Sequence, residues 1–144
     1  MKSITIAKTF TIAAVTALAL GIAPTASAQA CSNSSLRTEY VFKGAGFIVS
    51  PASAAGPFHD VNTLIFNGQG VVTGTGMLSQ NGNIVPVTET GTYNVNPDCT
   101  GSYTVLLSPL GFTAHYYFVI DASGELQIIC TDAGVAFSGT ARIQ

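Results

Sequence analysis

Basic residues are scarce in this chain. Lys and Arg number five against seven Asp and Glu, charged residues make up 8% of the total, and tryptophan is missing. So few cations leave no electrostatic footprint for nucleic acid or anionic lipid, and neither partner is expected. Signatures of the common catalytic machineries are missing too, with no serine elbow, no HExxH pair and no Cys-x-x-Cys. Gly68-Gln69-Gly70-Val71-Val72-Thr73 starts like a dinucleotide loop but lacks the last glycine and joins two strand-like runs, so it reads as a turn. No cofactor is implied. Nor is there a run long enough to cross a bilayer, because the most apolar stretch, residues 10–22, falls short of the roughly 20 residues a span needs.

That stretch follows Lys2 and Lys8 and precedes Ala26-Ser27-Ala28, the small-residue pattern a signal peptidase reads. Residues 1–28 are therefore expected to be a cleaved signal peptide and residues 29–144 a single domain, secreted or periplasmic. No Leu stands before Cys31 at the place lipoprotein processing uses. Beyond the signal, Arg37, Lys43 and Arg142 are three cations against seven carboxylates, a net charge of about −4. With the signal removed, no membrane contact is expected.

Alternation is what the chain has in quantity. Val85, Val87, Glu89, Gly91, Tyr93 and Val95 alternate with Ile84, Pro86, Thr88, Thr90, Thr92 and Asn94, the period of a strand with one buried face. Asn96-Pro97-Asp98 ends it, since Pro97 lacks the ladder donor and Asp98 can bond its own backbone. Similar runs at 37–49, 61–66, 71–79, 102–107, 112–120, 125–130 and 135–143 bring the strands to eight, with no helix. The joins are short and turn-like, with Asn81-Gly82 as a hairpin pair. Only residues 50–60, with Pro51, an Ala-rich middle and Pro57, read as a longer mobile flap. Short joins force antiparallel neighbours, and an even count lets the first strand pair with the last. The prediction is an all-β fold, an eight-stranded antiparallel up-and-down barrel, with a two-sheet β-sandwich as the alternative. Gly44, Gly46, Gly74, Gly76, Gly91 and Gly139 inside strands favour the strongly coiled barrel.

Glu89 shares the inward face with Val85, Val87, Tyr93 and Val95. A carboxylate there must find a hydrogen-bond partner or lose its charge, and burial would bring its pKa toward values useful for proton transfer. It is the one catalytic candidate, unless a bulge turns it outward or it serves only as a structural group. Tyr40, Phe42, Tyr93, Tyr103, Phe112, Tyr116 and Phe118 also fall on inward faces, which suits a site for a flat or lipid-like ligand. A filled core would use the same residues. His59, His115, Cys130 and Asp132 gather toward one end by strand counting, but their spacing matches no metal motif, and no metal site is assigned.

The opening Cys31-Ser32-Asn33, the segment Asn94-Val95-Asn96-Pro97-Asp98-Cys99-Thr100-Gly101, and the closing Thr131-Asp132-Ala133-Gly134 and Ser138-Gly139-Thr140-Ala141 resemble small exported bacterial barrels of allene-oxide-cyclase-like or lipocalin-like, calycin-type architecture. The resemblance spans most of the chain beyond the signal and implies a fold more than an activity. The plant cyclases hold an unsaturated epoxide in an apolar cavity with an internal carboxylate, a part for which Glu89 is the only candidate. Lipocalins and avidins place a tryptophan near the first strand, and this chain has none.

Strand counting also decides among the three cysteines. Cys31 precedes the first strand and Cys99 lies in the turn after the fourth, at the same end. Cys130 closes the seventh strand at the other end and reads as a small buried hydrophobe. A bridge needs Cα atoms within about 7 Å, so Cys31 and Cys99 should be linked. Three functional readings follow: a secreted barrel binding a small hydrophobic or aromatic ligand, an isomerase or cyclase working by confinement with Glu89 as acid or base, and a structural or interaction module with a filled core.

Overall fold

The structure, a computed structural model, describes residues 30–144, so the expected signal peptide lies outside the described residues. Eight antiparallel strands, β1 (Glu39–Ile48), β2 (Gly56–Phe66), β3 (Val71–Gln80), β4 (Asn83–Val95), β5 (Thr100–Ser108), β6 (Phe112–Ile120), β7 (Leu126–Cys130) and β8 (Val135–Ile143), close into an up-and-down barrel in sequence order. Closure runs from Tyr40 opposite Ile143 to Ile48 opposite Val135, so neither β1 nor β8 is left with an open edge. The turns follow their side chains. Asn67 Oδ1 accepts the backbone N–H groups of Gln69 and Val71, Asp121 Oδ1 those of Ser123 and Glu125, and Asn81-Gly82 takes positive φ at both positions, matching the twist of its hairpin.

The two ends of the barrel are built differently. At the end where β1 begins, a turn of 3-10 helix, Asn33–Ser35, brings Leu36 to complete burial. Asn33 Oδ1 accepts the Val95 N–H at 2.8 Å, and the Tyr93 hydroxyl donates to the Asn33 and Leu36 carbonyls at 3.0 Å each. Cys31 is bonded to Cys99 with Cα atoms 5.0 Å apart, which fastens this segment to the β4–β5 turn. Behind it the aromatic rings interlock, with Phe66 edge-on to Tyr40, Tyr93 and Tyr103, and Tyr103 stacked on Tyr116 at 4.5 Å. This end is sealed. Cys130 lies at the far end and is unbridged.

Two expectations need correction. The flap assigned to residues 50–60 is shorter, because β2 already begins at Gly56. Pro57 is tolerated at the start of that strand, on its outward face, where a missing donor does little harm. The remaining connection is tied down on both sides. Val49 and Ser50 donate to the Gly134 carbonyl, Gln80 Nε2 to Ala54, and Asn81 Nδ2 to Ala55. Phe112 has the parity of an inward residue but is 46% exposed, because as the first residue of β6 it stands on the rim rather than inside.

Candidate functional site

At the end opposite the disulfide the interior opens into a cavity of about 500 Å³. Its walls are mostly apolar, with Phe58, Leu78, Leu107, Ala114 and Tyr116 deep and Ile48, Phe112 and Val135 nearer the mouth. Asp60 is also on the wall. The barrel is therefore filled at one end and hollow at the other. Among the aromatic residues expected to bind a ligand, Tyr116 lines the cavity. Tyr40, Phe42, Tyr93, Tyr103 and Phe118 are buried but do not line it. Phe58 and Phe137, whose rings stack at 4.7 Å, belong to the same interior and were missing from the expected set.

The polar centre of the interior is a group of three residues, Asp60 and Asn62 on β2 and Glu89 on β4, each no more than 4% exposed. Asn62 Nδ2 donates to Glu89 Oε1. These residues stand on strands separated by β3, roughly 10 Å across the ladder, and they can meet only because β3 presents glycine between them. Gly76 faces Asn62 and Gly74 faces Glu89 in the register. A Cβ at Gly76 would collide with Asn62 Oδ1 and with the Val61 carbonyl oxygen. Gly76→Ala is accordingly expected to lower the free energy of unfolding by about 2 kcal/mol or more and to separate Asn62 from Glu89, which urea denaturation would measure.

Burial pushes both carboxyls up to about 7, and for Glu89 the neighbouring Asp60 adds to the rise, while Asn62 partly offsets it for each. No Lys, Arg or His among the described residues enters the interior to balance them: Arg37, Lys43, His59, His115 and Arg142 are all exposed. The same two carboxyls, after burial itself, help hold the Tyr116 and Tyr103 hydroxyls well above the usual phenol range. Glu89 does not reach the cavity wall. Asp60 does, so of the two it is the group a bound molecule meets first. Sequence reasoning missed Asp60 by starting the second strand too late, at Val61.

Compared with protein-family models, curated proteins and solved structures, the chain matches none. The architecture itself is a closed, all-antiparallel eight-stranded barrel.

The residues weighed as metal ligands do not converge. His59 is on the outer face of β2, and among the described residues no three His, Cys, Asp or Glu side chains are placed to hold a metal ion together. Asp132, at the rim, instead joins two of the others. Its Oδ1 pairs with His115 Nδ1 at 2.7 Å, and its Oδ2 accepts the His115 backbone N–H and, at 3.5 Å, the Cys130 thiol. A nucleophilic cysteine needs surroundings that favour its thiolate, whereas here burial pushes the thiol's pKa up and the negative charge of Asp132 adds to the rise. The trio braces the β6–β7–β8 corner of the mouth.

Proposed function

We propose that this is an exported binding protein of the calycin-like type, related in kind to small bacterial allene-oxide-cyclase-like barrels, that holds one small, largely apolar or aromatic molecule in the cavity at its mouth. The observation that carries this reading is the hollow itself. A barrel of eight strands can be filled completely by its side chains, as the sealed end is. The open end instead leaves a volume within the range of small-molecule sites, with mostly apolar walls, Asp60 set deep among them, and the polar side chains of Ser50, Gln80, Thr113 and Asp132 also on the lining. Export agrees with the disulfide, which suits an oxidising compartment.

Ala114 supplies the test, because it is buried on the cavity wall with room in front of it. Ala114→Phe should fill the hollow. The neutral fluorophore Nile red is expected to brighten and shift to the blue with the wild-type protein and not with the variant, while circular dichroism stays the same. Equal fluorescence from both would place binding elsewhere and overturn the reading.

A second reading, an isomerase or cyclase working by confinement, is favoured by the internal carboxyl pair alone. In that case Asp60 would touch the substrate and Glu89, reached through Asn62, would position it and share its proton. Loss of turnover in Asp60→Asn exceeding that in Glu89→Gln is the outcome this assignment requires. A structural module with a filled core accords least with the hollow.

A further inference from the structure

We infer that the molecule held in the cavity is a small protonated amine with an aromatic or alkyl body, its nitrogen seated on the Asp60 carboxyl. This deepens the binding reading above and rests on it. The barrel encloses two carboxyls and one amide, yet every cationic side chain among the described residues is exposed. Two oxygen atoms of the group, Asp60 Oδ1 and Asn62 Oδ1, are buried and accept no hydrogen bond. Interiors leave few such atoms without a partner, and these two lack the same thing, a donor. Asn62 donates to Glu89 and leaves Asp60 Oδ1 without a hydrogen bond.

An ammonium group supplies what is missing, up to three N–H donors and a positive charge against two carboxyls. Asp60 is where it would arrive, being the member of the group on the wall. The rings of Phe58 and Tyr116, also on the wall, suit a cation as well as an aromatic body, and Leu78, Leu107 and Ala114 complete an apolar surround. A carboxylate ligand would be repelled by the same group. An alcohol would bring one donor and no charge.

Titration calorimetry with three molecules of similar body separates the cases: phenethylamine, phenethyl alcohol and hydrocinnamate. The amine is expected to bind at least roughly tenfold more tightly than the alcohol, and hydrocinnamate most weakly. In Asp60→Asn the amine should fall to the level of the alcohol while the alcohol itself binds as before, which shows the cavity intact. Should Asp60→Asn not fold, Glu89→Gln provides the second variant, with a smaller loss of the amine's advantage expected. Alcohol or hydrocinnamate binding as tightly as the amine, or an amine preference untouched in both variants, overturns the amine assignment and leaves the cavity a binding site. Failure of all three to bind, together with no response to Nile red, overturns both.

Discussion

The protein is expected to lose stability as pH rises from about 4 to about 7, opposite to the behaviour of a fold held by paired carboxylates. Asp60 and Glu89 are raised from 3.8 and 4.5 in the unfolded chain to about 7 in the barrel. Below pH 4 both states hold these protons and the two groups contribute nothing to the difference. Between the two sets of values the unfolded chain gives up its protons while the folded chain keeps them, so the folded state is progressively penalised. A rise of roughly three units is worth about 4 kcal/mol for one group, and the mutual repulsion belongs to the pair, so the two together lose less than twice that. Asp98, Asp121 and Asp132 are held below the ordinary carboxylate range, so their stabilisation is present above it and is lost only at lower pH. They do not compete in this window. Urea denaturation at pH 4.5, 6 and 7.5 should show a falling free energy of unfolding, and the double variant Asp60→Asn, Glu89→Gln should flatten the fall. A profile that is level or rising in the wild-type protein would show that the two carboxyls are not buried as described.

Removing the disulfide should have a comparable effect from the other end of the molecule. Cys31 and Cys99 are separated by 68 positions, and releasing a loop of that length from the unfolded chain costs about 4 kcal/mol of stability in the chain-entropy account. For a domain of this size that corresponds to a melting temperature lower by about 15 °C. The loss should be local in its structural effect, because what the bridge fastens is the segment bearing Leu36 and the Asn33 contacts to Tyr93 and Val95. Cys31→Ser, Cys99→Ser should therefore expose amides near Val95 to faster hydrogen exchange while leaving those around Asp60 nearly as slow as before. A melting temperature unchanged in the double variant would mean that the plug is held without the bridge.

Much of the architecture was legible because strands announce their faces. Val87, Glu89, Tyr93 and Val95 are buried as their alternation requires, and direction reversal at each short turn places Cys31 beside Cys99 and away from Cys130. Height along the barrel axis was not legible. Parity alone cannot distinguish Tyr93, deep in the sealed end, from Phe112 at the rim, since both face inward in the same rhythm. Asp60 was hidden by Pro57, which looked like the end of a loop. The signal was nevertheless present: Phe58, Asp60, Asn62, Leu64 and Phe66 continue one face in steps of two, and two polar residues on such a face, beside a strand carrying Gly74 and Gly76, mark a buried polar contact across it. That the interior is hollow at one end depends on how side chains from all eight strands pack together, and no single stretch encodes it.

The unequal ends of the barrel also bear on how such a protein can change through descent. Everything that closes the fold, the bridge, the Leu36 plug and the interlocked rings, is gathered away from the mouth. The connections after β1, β3, β5 and β7 border the hollow and carry none of that burden. Lengthening one of them costs only about 0.6 kcal/mol per doubling. Insertions there would alter what is admitted without endangering the scaffold, so a lineage built on this plan can exchange one cargo for another while inheriting the same container.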